Sequence, residues 1–312
     1  MDYLFLISGI IILLFSGNWL VKSGAELASY LKIPPFILGV TVISMGTSAP
    51  ELFVSLNASI NGYSDVAVGN IVGSNIANIG LVLAISAVII AIPIQRSTIK
   101  LDFPVLMLSS LLFFVFMLDL KISRMEGGIM ITLMLAYVFW IIRKLRKDKL
   151  SGNIIEENIN KKRNPYLLGL IFIGSCVGLV IGSNLLVEGA VNIAKMIGVS
   201  ERIISITVIA IGTSLPELTT SIVAAVKKNL DISAGNVIGS NIFNILVIGG
   251  MSSVIKPLNV NPAVLHFDIY FMLGFSILLG FFFLPLRTQR ISKFEGLFFV
   301  LAYIGYYVVL FV

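Results

Sequence analysis

Two glutamates lie in the middle of long apolar stretches, and each comes directly after a proline. Glu51 follows Pro50, and Glu217 follows Pro216. An ionised carboxylate near the centre of a bilayer costs about 2.5–3.5 kcal/mol, so two of them require a compensating partner. Lys22 is the nearest basic residue in depth, and it has no counterpart in the second half of the chain. We therefore expect a bound cation as the partner, with a protonated pair that serves helix packing as the alternative.

Both glutamates belong to a segment that occurs twice. Residues 41–82 (TVISMGTSAPELFVSLNASINGYSDVAVGNIVGSNIANIGLV) recur without a gap as residues 207–248 (TVIAIGTSLPELTTSIVAAVKKNLDISAGNVIGSNIFNILVI), with about 20 of 42 positions identical. The repeated residues are the polar ones, in the patterns GTSxPE and GNxxGSNxxN. Matched polar segments in the two halves of an apolar chain are typical of a transporter with a cation site between its halves.

The prolines predict a break in each helix. A proline has no backbone N–H and crowds the carbonyl four residues earlier, here at Gly46 and Gly212. We expect this to free backbone oxygens beside Thr47 and Thr213, at the negative end of a half-helix. Carboxylate, carbonyl and hydroxyl oxygens are the ligands of hard cations such as Ca²⁺ and Na⁺. A kink closed by Thr and Ser side chains would explain one copy, but not why a glutamate follows both prolines.

A second polar feature recurs at a spacing of four residues, which places its members on one face of a helix. The two trios are Asn70, Ser74, Asn78 and Asn236, Ser240, Asn244. The alternative is that these amides only hold helices together, which is most plausible for Asn70 and Asn236 because they are near the helix starts. The neighbouring Asn75 and Asn241 point off this face, and we expect them to serve packing or capping.

Composition sets the class of protein. Of 312 residues, 57% are hydrophobic and 12% charged, and the mean hydropathy is +1.01, as in an integral membrane protein. The net charge of +6 is spread over short loops, so we expect no nucleic-acid partner. Cys176 is the only cysteine and is expected to be buried and inert. His266 is the only histidine, which excludes a His-rich transition-metal site and argues against a serine–histidine hydrolase. We expect a protein that is not an enzyme and that has no cofactor.

The apolar stretches predict an all-α polytopic membrane protein with ten transmembrane helices. The first half spans residues 1–142 and the second 165–312, joined by a charged linker at 143–164. The expected spans are 3–30, 36–60, 66–92, 103–119, 125–144, 165–195, 203–226, 233–255, 265–284 and 293–311.

Loop charges predict the orientation. An N-out, C-out arrangement places most Lys and Arg residues, including eight in the linker, on the cytoplasmic side. Five helices repeated once must then enter the membrane from opposite sides, so the halves form an inverted repeat. Acidic residues at the span boundaries, such as Asp102 and Asp268, are expected to be solvated or interfacial.

The two motifs resemble the α-repeats of the cation/Ca²⁺ exchanger superfamily, and most closely its Na⁺/Ca²⁺ exchangers. The resemblance covers essentially the whole chain and, because a long cytoplasmic loop is missing, is to a prokaryotic member. It implies that Glu51 and Glu217 bind Ca²⁺ together with backbone oxygens of Thr47 and Thr213. It further implies overlapping Na⁺ sites with Asn78 and Asn244 lining the middle; the remaining ligands would be Ser74, Ser240 and carbonyls near Ser44 and Ala210. Structural support would come from Ser48, Ser214, Pro50, Pro216, Gly46, Gly212, Asn70 and Asn236.

One position departs from part of the superfamily. Some members, including the K⁺-dependent branch, carry Asp where this chain has Asn244, which argues against K⁺ co-transport. The resemblance thus implies an antiporter of the plasma membrane that exchanges Na⁺ for Ca²⁺ by alternating access, with Na⁺ entry driving Ca²⁺ out. Because one chain contains both motifs, we expect a complete site in a monomer. An H⁺-coupled or K⁺-dependent antiporter remains the alternative within transporters, and a passive cation channel is the alternative from another class.

Overall fold

The computed structural model describes residues 2–31, 35–96, 98–150, 164–196, 210–282 and 290–311, and it is almost entirely helical. Within these residues, eight helices are long and apolar enough to cross a membrane: Asp2–Tyr30, Ser64–Ile89, Thr98–Met117, Arg124–Lys144, Pro165–Gly189, Leu230–Ile255, Val264–Phe282 and Lys293–Leu310. The chain is therefore a polytopic helical membrane protein.

The other two expected spans, 36–60 and 203–226, are interrupted helices. The first of them consists of Pro35–Leu38, the π-helical turn Gly39–Ile43, Ser44–Thr47 and Ala49–Asn61. The described part of the second consists of Ala210–Thr213 and Leu215–Val226, while residues 203–209 lie outside the described residues. In the residues that the structure describes, neither contains an unbroken helix long enough to span, because the helix is interrupted at Ser48 and at Ser214, two residues before each proline.

The uninterrupted helices are Asp2–Leu31, Arg124–Leu150, Pro165–Met196 and Lys293–Phe311. The remaining four contain a π-helical stretch: Ser64–Ala77 with Asn78–Leu83 and Ala84–Ile89; Thr98–Asp102 with Phe103–Met117; Leu230–Phe243 with Asn244–Gly249 and Gly250–Ile255; and Val264–Asp268 with Ile269–Phe282. The fifth helix continues to Leu150, so the first part of the segment assigned to the linker is helical. Linker residues 151–163 lie outside the described residues.

Two short antiparallel strand pairs join loops from the two halves. Ile92–Pro93 pairs with Arg290–Ile291, and Lys121–Ile122 pairs with Leu258–Asn259. A loop that follows the third helix of the first half thus lies beside one that precedes the last helix of the second half. The helix Thr98–Met117 separates the two pairs, which places them at opposite ends of the bundle. Equivalent loops of the two halves therefore lie at opposite ends, as an inverted repeat requires.

The helices that carry the polar trios lie at the centre of the bundle. In Ser64–Ile89 and Leu230–Ile255, 78% of the most apolar window is buried inside the protein, against 22–39% in the other six spanning helices. A helix surrounded by protein must approach its neighbours closely, which its Gly, Ala and Ser residues permit. The sequence-predicted polar residues therefore face other helices.

Asp102 contradicts the expectation that boundary carboxylates are solvated. Its side chain is only 3% exposed, and it accepts a hydrogen bond of 2.6 Å from the hydroxyl of Tyr137. The second half repeats the pair, because the Tyr306 hydroxyl donates to Asp268 at 2.8 Å. A buried tyrosine close enough to donate compensates the desolvation of each carboxylate, and the pairs join the fourth helix to the fifth and the ninth to the tenth.

The first and sixth helices pack closely through glycines. A Cβ added at Gly9 would lie 2.6 Å from the backbone N of Leu186, and one at Gly182 would lie 3.0 Å from the backbone N of Leu13. Gly178 has the same relation to Ser16, whose Cβ would be 3.1 Å away. Only glycine allows backbones to approach this closely. The two long helices therefore form one packed pair beside the central bundle.

Candidate cation site

Each broken helix restarts with its glutamate in the first turn. The chain leaves helical geometry at Ser48 (φ −81°, ψ 12°), and the next helix, Ala49–Asn61, has Pro50 near its start. Ser214 (φ −86°, ψ 7°) and Pro216 repeat this arrangement ahead of Leu215–Val226. Proline is favoured at the first turn because the N–H it lacks has no helical partner there. The expected breaks are confirmed, and they place both carboxylates at half-helix N-termini, where negative charge is favoured.

The two carboxyl groups lie together in the interior. Glu51 is 1% exposed and Glu217 is fully buried. The Ser48 hydroxyl donates to Oε1 of Glu217 at 2.7 Å, and the Ser214 hydroxyl donates to Oε1 of Glu51 at 3.5 Å. Each glutamate is thus bonded by the serine of the opposite repeat. The other oxygen of each carboxyl group, Oε2, is buried and has no hydrogen-bond partner among the described residues.

Asn70 and Asn236 attach the glutamate helices to their neighbours. The Asn70 amide donates to the carbonyl of Glu51 at 3.1 Å and to the hydroxyl of Ser55 at 2.9 Å. Asn236 makes the equivalent bonds to Glu217 at 3.5 Å and to Ser221 at 3.1 Å. These contacts agree with a structural role for both asparagines. Sequence reasoning missed Ser55 and Ser221, although they are identical between the repeats and lie one helical turn after each glutamate.

The threonines before the breaks occupy different surroundings. The Thr47 hydroxyl donates to Oδ1 of Asn236 at 3.1 Å and to the carbonyl of Ser44 at 3.3 Å, which links the two repeats. Thr213 ends the short helix Ala210–Thr213, and it is partly exposed. The side chain of Ala210 lies outside the described residues, so its environment is not part of the site described here.

The carbonyl of Ser44 is already engaged in this conformation. It accepts the backbone N–H of Ser48 at 2.9 Å as well as the Thr47 hydroxyl. A carbonyl oxygen has two lone pairs, so a cation could bind there only if one of these donors moved away. The carbonyl of Gly212, expected to be freed by Pro216, instead accepts the hydroxyl of Ser183 on the sixth helix at 2.5 Å.

Two asparagines and two serines of the polar trios lie in the middle of the central helices. Ser74, Ser240, Asn78 and Asn244 are all 3% exposed or less, and the π-helical turns begin at the two asparagines. In the part of the chain that the structure describes, the hydroxyl of Ser240, the Oδ1 of Asn78 and both amide atoms of Asn244 are buried and have no hydrogen-bond partner. Asn241, which was expected to serve packing or capping, reaches this region as well, because its Oδ1 accepts the amide of Asn78 at 3.0 Å.

The sixth helix touches both helix breaks. A Cβ at Gly46 would lie 2.5 Å from the sulfur of Cys176, and one at Gly212 would clash with Cγ2 of Val187. Both glycines are therefore needed for close packing as well as for the break. Cys176 is a free, partly exposed thiol that packs against the GTSxPE motif.

Donor chemistry determines what this site can hold. Buried acceptors without partners cost free energy, and here they include two carboxylate oxygens, a hydroxyl and amide oxygens. Among the described residues, no three His, Cys, Asp or Glu side chains cluster, so the donors are two carboxylates and neutral oxygens. Such a set suits Na⁺ or Ca²⁺ and disfavours soft transition metals. Fold and site together define a cation transporter of the inverted-repeat class.

Comparisons with known proteins agree. The family model described as "Sodium/calcium exchanger protein" matches residues 1–143 and 167–312. Sodium/calcium exchanger MaX1 of Methanosarcina acetivorans is 32% identical over 99% of this chain and 98% of its own length. Inner membrane protein YrbG of Escherichia coli is 34% identical over 88% of this chain and 86% of its own.

A solved structure is similar over nearly the whole fold. The sodium–calcium exchanger NCX_Mj, soaked with 10 mM Na⁺ and 10 mM Sr²⁺, superposes with a TM-score of 0.83 and 29% identity, covering 97% of this chain and 96% of that one. The chain belongs to the sodium/calcium exchanger family, a family of transporters rather than enzymes.

Proposed function

We infer that this chain is a Na⁺/Ca²⁺ antiporter in which Glu51 and Glu217 share one cation site. The observation that carries this proposal is the pair of buried carboxyl groups from opposite repeats, each with one oxygen lacking a hydrogen-bond partner. Membership of the sodium/calcium exchanger family supports the choice of ions. Both ions are substrates, and the proposal includes no resident cofactor.

Charge provides the coupling. Two ionised glutamates supply a charge of about −2, which one Ca²⁺ neutralises. Na⁺ ions that bind at overlapping positions replace the Ca²⁺. Ca²⁺ binds between the carboxylates, with backbone oxygens of Thr47 and Thr213. Na⁺ uses the same carboxylates together with Ser74 and Ser240, and carbonyls near Ser44 and Ala210 complete its sites. Asn78 and Asn244 line the middle. Because occupancy by one ion excludes the other, transport of the two is linked.

The proposed topology has ten membrane passes with both termini outside. The paired loops at opposite ends of the bundle support the inverted arrangement, and the cytoplasmic side is assigned from the Lys and Arg residues of the linker. The protein resides in the plasma membrane, with the linker facing the cytoplasm. One chain carries both glutamates, so a monomer is sufficient for exchange.

Access to the site alternates as the first and sixth helices slide across the central bundle. Support comes from their mutual packing through glycines and from the contacts of the sixth helix with both breaks. A proline-broken helix can change its end geometry at small cost, since its hydrogen-bond ladder is already interrupted. Net inward movement of Na⁺ then drives Ca²⁺ outward.

The test is ⁴⁵Ca²⁺ uptake into proteoliposomes loaded with Na⁺. Matched vesicles are loaded with K⁺ or held under a pH gradient, and Glu51→Gln protein serves as the inactive control. The proposal expects uptake that needs internal Na⁺, proceeds without K⁺ and is lost in the variant. Uptake driven by the pH gradient, or dependent on K⁺, would move the protein to another branch of cation antiporters. Uptake that is indifferent to every counter-ion would reject antiport and favour a channel.

A further inference from the structure

The amide groups at the centre of the bundle form a directed chain of hydrogen bonds. Nδ2 of Asn241 donates to the backbone carbonyl of Asn75 at 3.4 Å, and Oδ1 of Asn241 accepts Nδ2 of Asn78 at 3.0 Å. The three asparagines are 1–2% exposed, so water does not compete for these bonds. The chain crosses from the eighth helix to the third and therefore links the two repeats.

This chain has only one possible direction. A backbone carbonyl can accept but never donate, so Asn241 must turn its nitrogen towards Asn75. The oxygen of Asn241 then faces Asn78, so Asn78 must donate a hydrogen bond to it from its own nitrogen. The remaining amide atom of Asn78 is Oδ1, which is buried and has no hydrogen-bond partner within the described residues. A fixed carbonyl thus determines that Asn78 presents an oxygen to the interior instead of an NH₂ group.

We propose that Asn241 is a positioning residue for cation exchange, acting through Asn78. An amide oxygen attracts a cation, whereas an amide NH₂ has only donors and repels it. By holding the Asn78 amide in one orientation, Asn241 keeps the middle of the site attractive to Na⁺ or Ca²⁺. The inference rests on the proposed function, because it concerns the same cation site.

The equivalent bond of the other repeat is open in this structure. Its partners would be Asn244 and Asn75, which correspond to Asn78 and Asn241. Asn75 is oriented by a 2.7 Å bond from its Nδ2 to the carbonyl of Ile71, and its Oδ1 has no partner among the described residues. Both amide atoms of Asn244 are likewise without a partner in the described part of the chain.

Alternating access would explain why the bond from Asn78 to Asn241 is formed while the equivalent bond from Asn244 to Asn75 is open. In an inverted repeat, the two halves exchange conformations when the protein turns from one membrane side to the other. The bond from Asn244 to Asn75 then forms in the opposite-facing state, while the bond from Asn78 to Asn241 opens. Asn241 accordingly tunes ion affinity on one membrane side, and Asn75 tunes it on the other.

A double-mutant cycle tests the positioning role. Half-saturating concentrations of Ca²⁺ and Na⁺ are measured for wild type, Asn241→Leu, Asn78→Ala and the double variant. Loss of a residue that orients a ligand typically lowers affinity about 10-fold or more. Asn241→Leu is expected to lower the apparent affinity for at least one of the two ions by that factor. In the Asn78→Ala background it should cause no further loss of affinity. Unchanged affinities for both ions, or losses that add in the double variant, would overturn the proposal.

Two further measurements keep the test decisive. If Asn241→Leu is not recovered as a monodisperse protein, Asn241→Ala replaces it in the same cycle. Side-resolved exchange, in vesicles with the protein in one orientation, compares Asn241→Leu with the matched variant Asn75→Leu. Asn241→Leu should raise the half-saturating concentration on one side of the membrane and Asn75→Leu on the other. Equal changes on both sides in each variant would refute the proposed alternation between the two asparagine bonds.

The proposed function has its own control in this experiment. Glu51→Gln must abolish Na⁺-dependent exchange if the site is placed correctly. If Glu51→Gln is inactive while Asn241→Leu behaves as wild type, the positioning role of Asn241 is rejected and the antiport proposal stands. If Glu51→Gln retains exchange, the proposed site itself is wrong.

Discussion

The hydroxyl of Ser48 in the first repeat donates to Oε1 of Glu217 in the second at 2.7 Å. The reciprocal contact, from Ser214 to Oε1 of Glu51, measures 3.5 Å, at the outer limit of a hydrogen bond. Each serine is the third residue of a GTSxPE motif, so the two occupy equivalent positions in the repeats. The protein is therefore asymmetric at its centre, with the carboxylate of the second repeat held more firmly than that of the first.

This asymmetry predicts different effects of two equivalent substitutions. Ser48→Ala removes a short, charge-assisted hydrogen bond that orients a cation ligand, so the apparent affinity for Ca²⁺ should fall about 10-fold. Ser214→Ala removes a much weaker contact and should change the affinity less. Both are measured as half-saturating ⁴⁵Ca²⁺ concentrations in Na⁺-loaded proteoliposomes. Equal losses of affinity in the two variants would mean that the difference between the two serine–glutamate distances does not affect Ca²⁺ binding.

Packing at the first helix break predicts a second effect. Gly46→Ala places a Cβ 2.5 Å from the sulfur of Cys176, and overpacking of this kind costs about 1–3 kcal/mol. Thermal unfolding of Gly46→Ala should occur at lower temperature, and adding Cys176→Ala should restore most of the stability. Gly128→Ala is the control, because no described atom comes within 4 Å of a Cβ there. Failure of Cys176→Ala to rescue would show that Gly46 is needed for another reason.

The sliding of the first and sixth helices can be tested by two crosslinks. A Cβ at Gly17 of the first helix would lie 2.9 Å from Cγ2 of Thr219 on the helix that carries Glu217. In a Cys176→Ala background, a disulfide between Gly17→Cys and Thr219→Cys should abolish exchange while Ca²⁺ still binds at equilibrium. Reduction should restore activity.

The matched control joins the two helices that move together. A disulfide between Ser16→Cys and Gly178→Cys, where the Cβ atoms would be 3.1 Å apart, should leave exchange intact. Continued exchange by the first crosslinked protein would rule out sliding.

The two pairs of tyrosine and aspartate, one with a buried and one with a half-buried carboxylate, predict an effect on stability alone. Tyr137→Phe leaves the carboxylate of Asp102 buried without its donor, which should lower the free energy of unfolding by about 1–3 kcal/mol. Tyr306→Phe should act in the same way through Asp268. Tyr303→Phe, which loses only a 3.3 Å contact with another tyrosine hydroxyl, should cost less. A loss of exchange in Tyr137→Phe that exceeds its loss of folded protein would instead place Asp102 in the transport mechanism.

Local features of the site were predictable from sequence, and contacts between the halves were not. Pro50 and Pro216 predict the helix breaks because the effect of proline on its own turn is local. The contact between Ser48 and Glu217 depends on how two segments more than 160 residues apart pack, which no spacing within one helix encodes. Asn241 was assigned to packing from its helix face alone, although its partner belongs to the other repeat. Asp102 was expected to be solvated or interfacial because it lies at the boundary between a loop and an apolar span, and its burial follows from the fifth helix and Tyr137.

Competition between the two ions at equilibrium tests the shared site most directly. Binding of ⁴⁵Ca²⁺ to purified wild-type protein, Glu51→Gln and Glu217→Gln is measured at increasing Na⁺ concentration, with K⁺ replacing Na⁺ in the control. If Glu51 and Glu217 share one site, Na⁺ should displace Ca²⁺ from wild type, K⁺ should not, and either glutamine variant should lose Ca²⁺ binding. Ca²⁺ binding that persists in both variants, or that Na⁺ fails to displace, would contradict a site shared by the two glutamates.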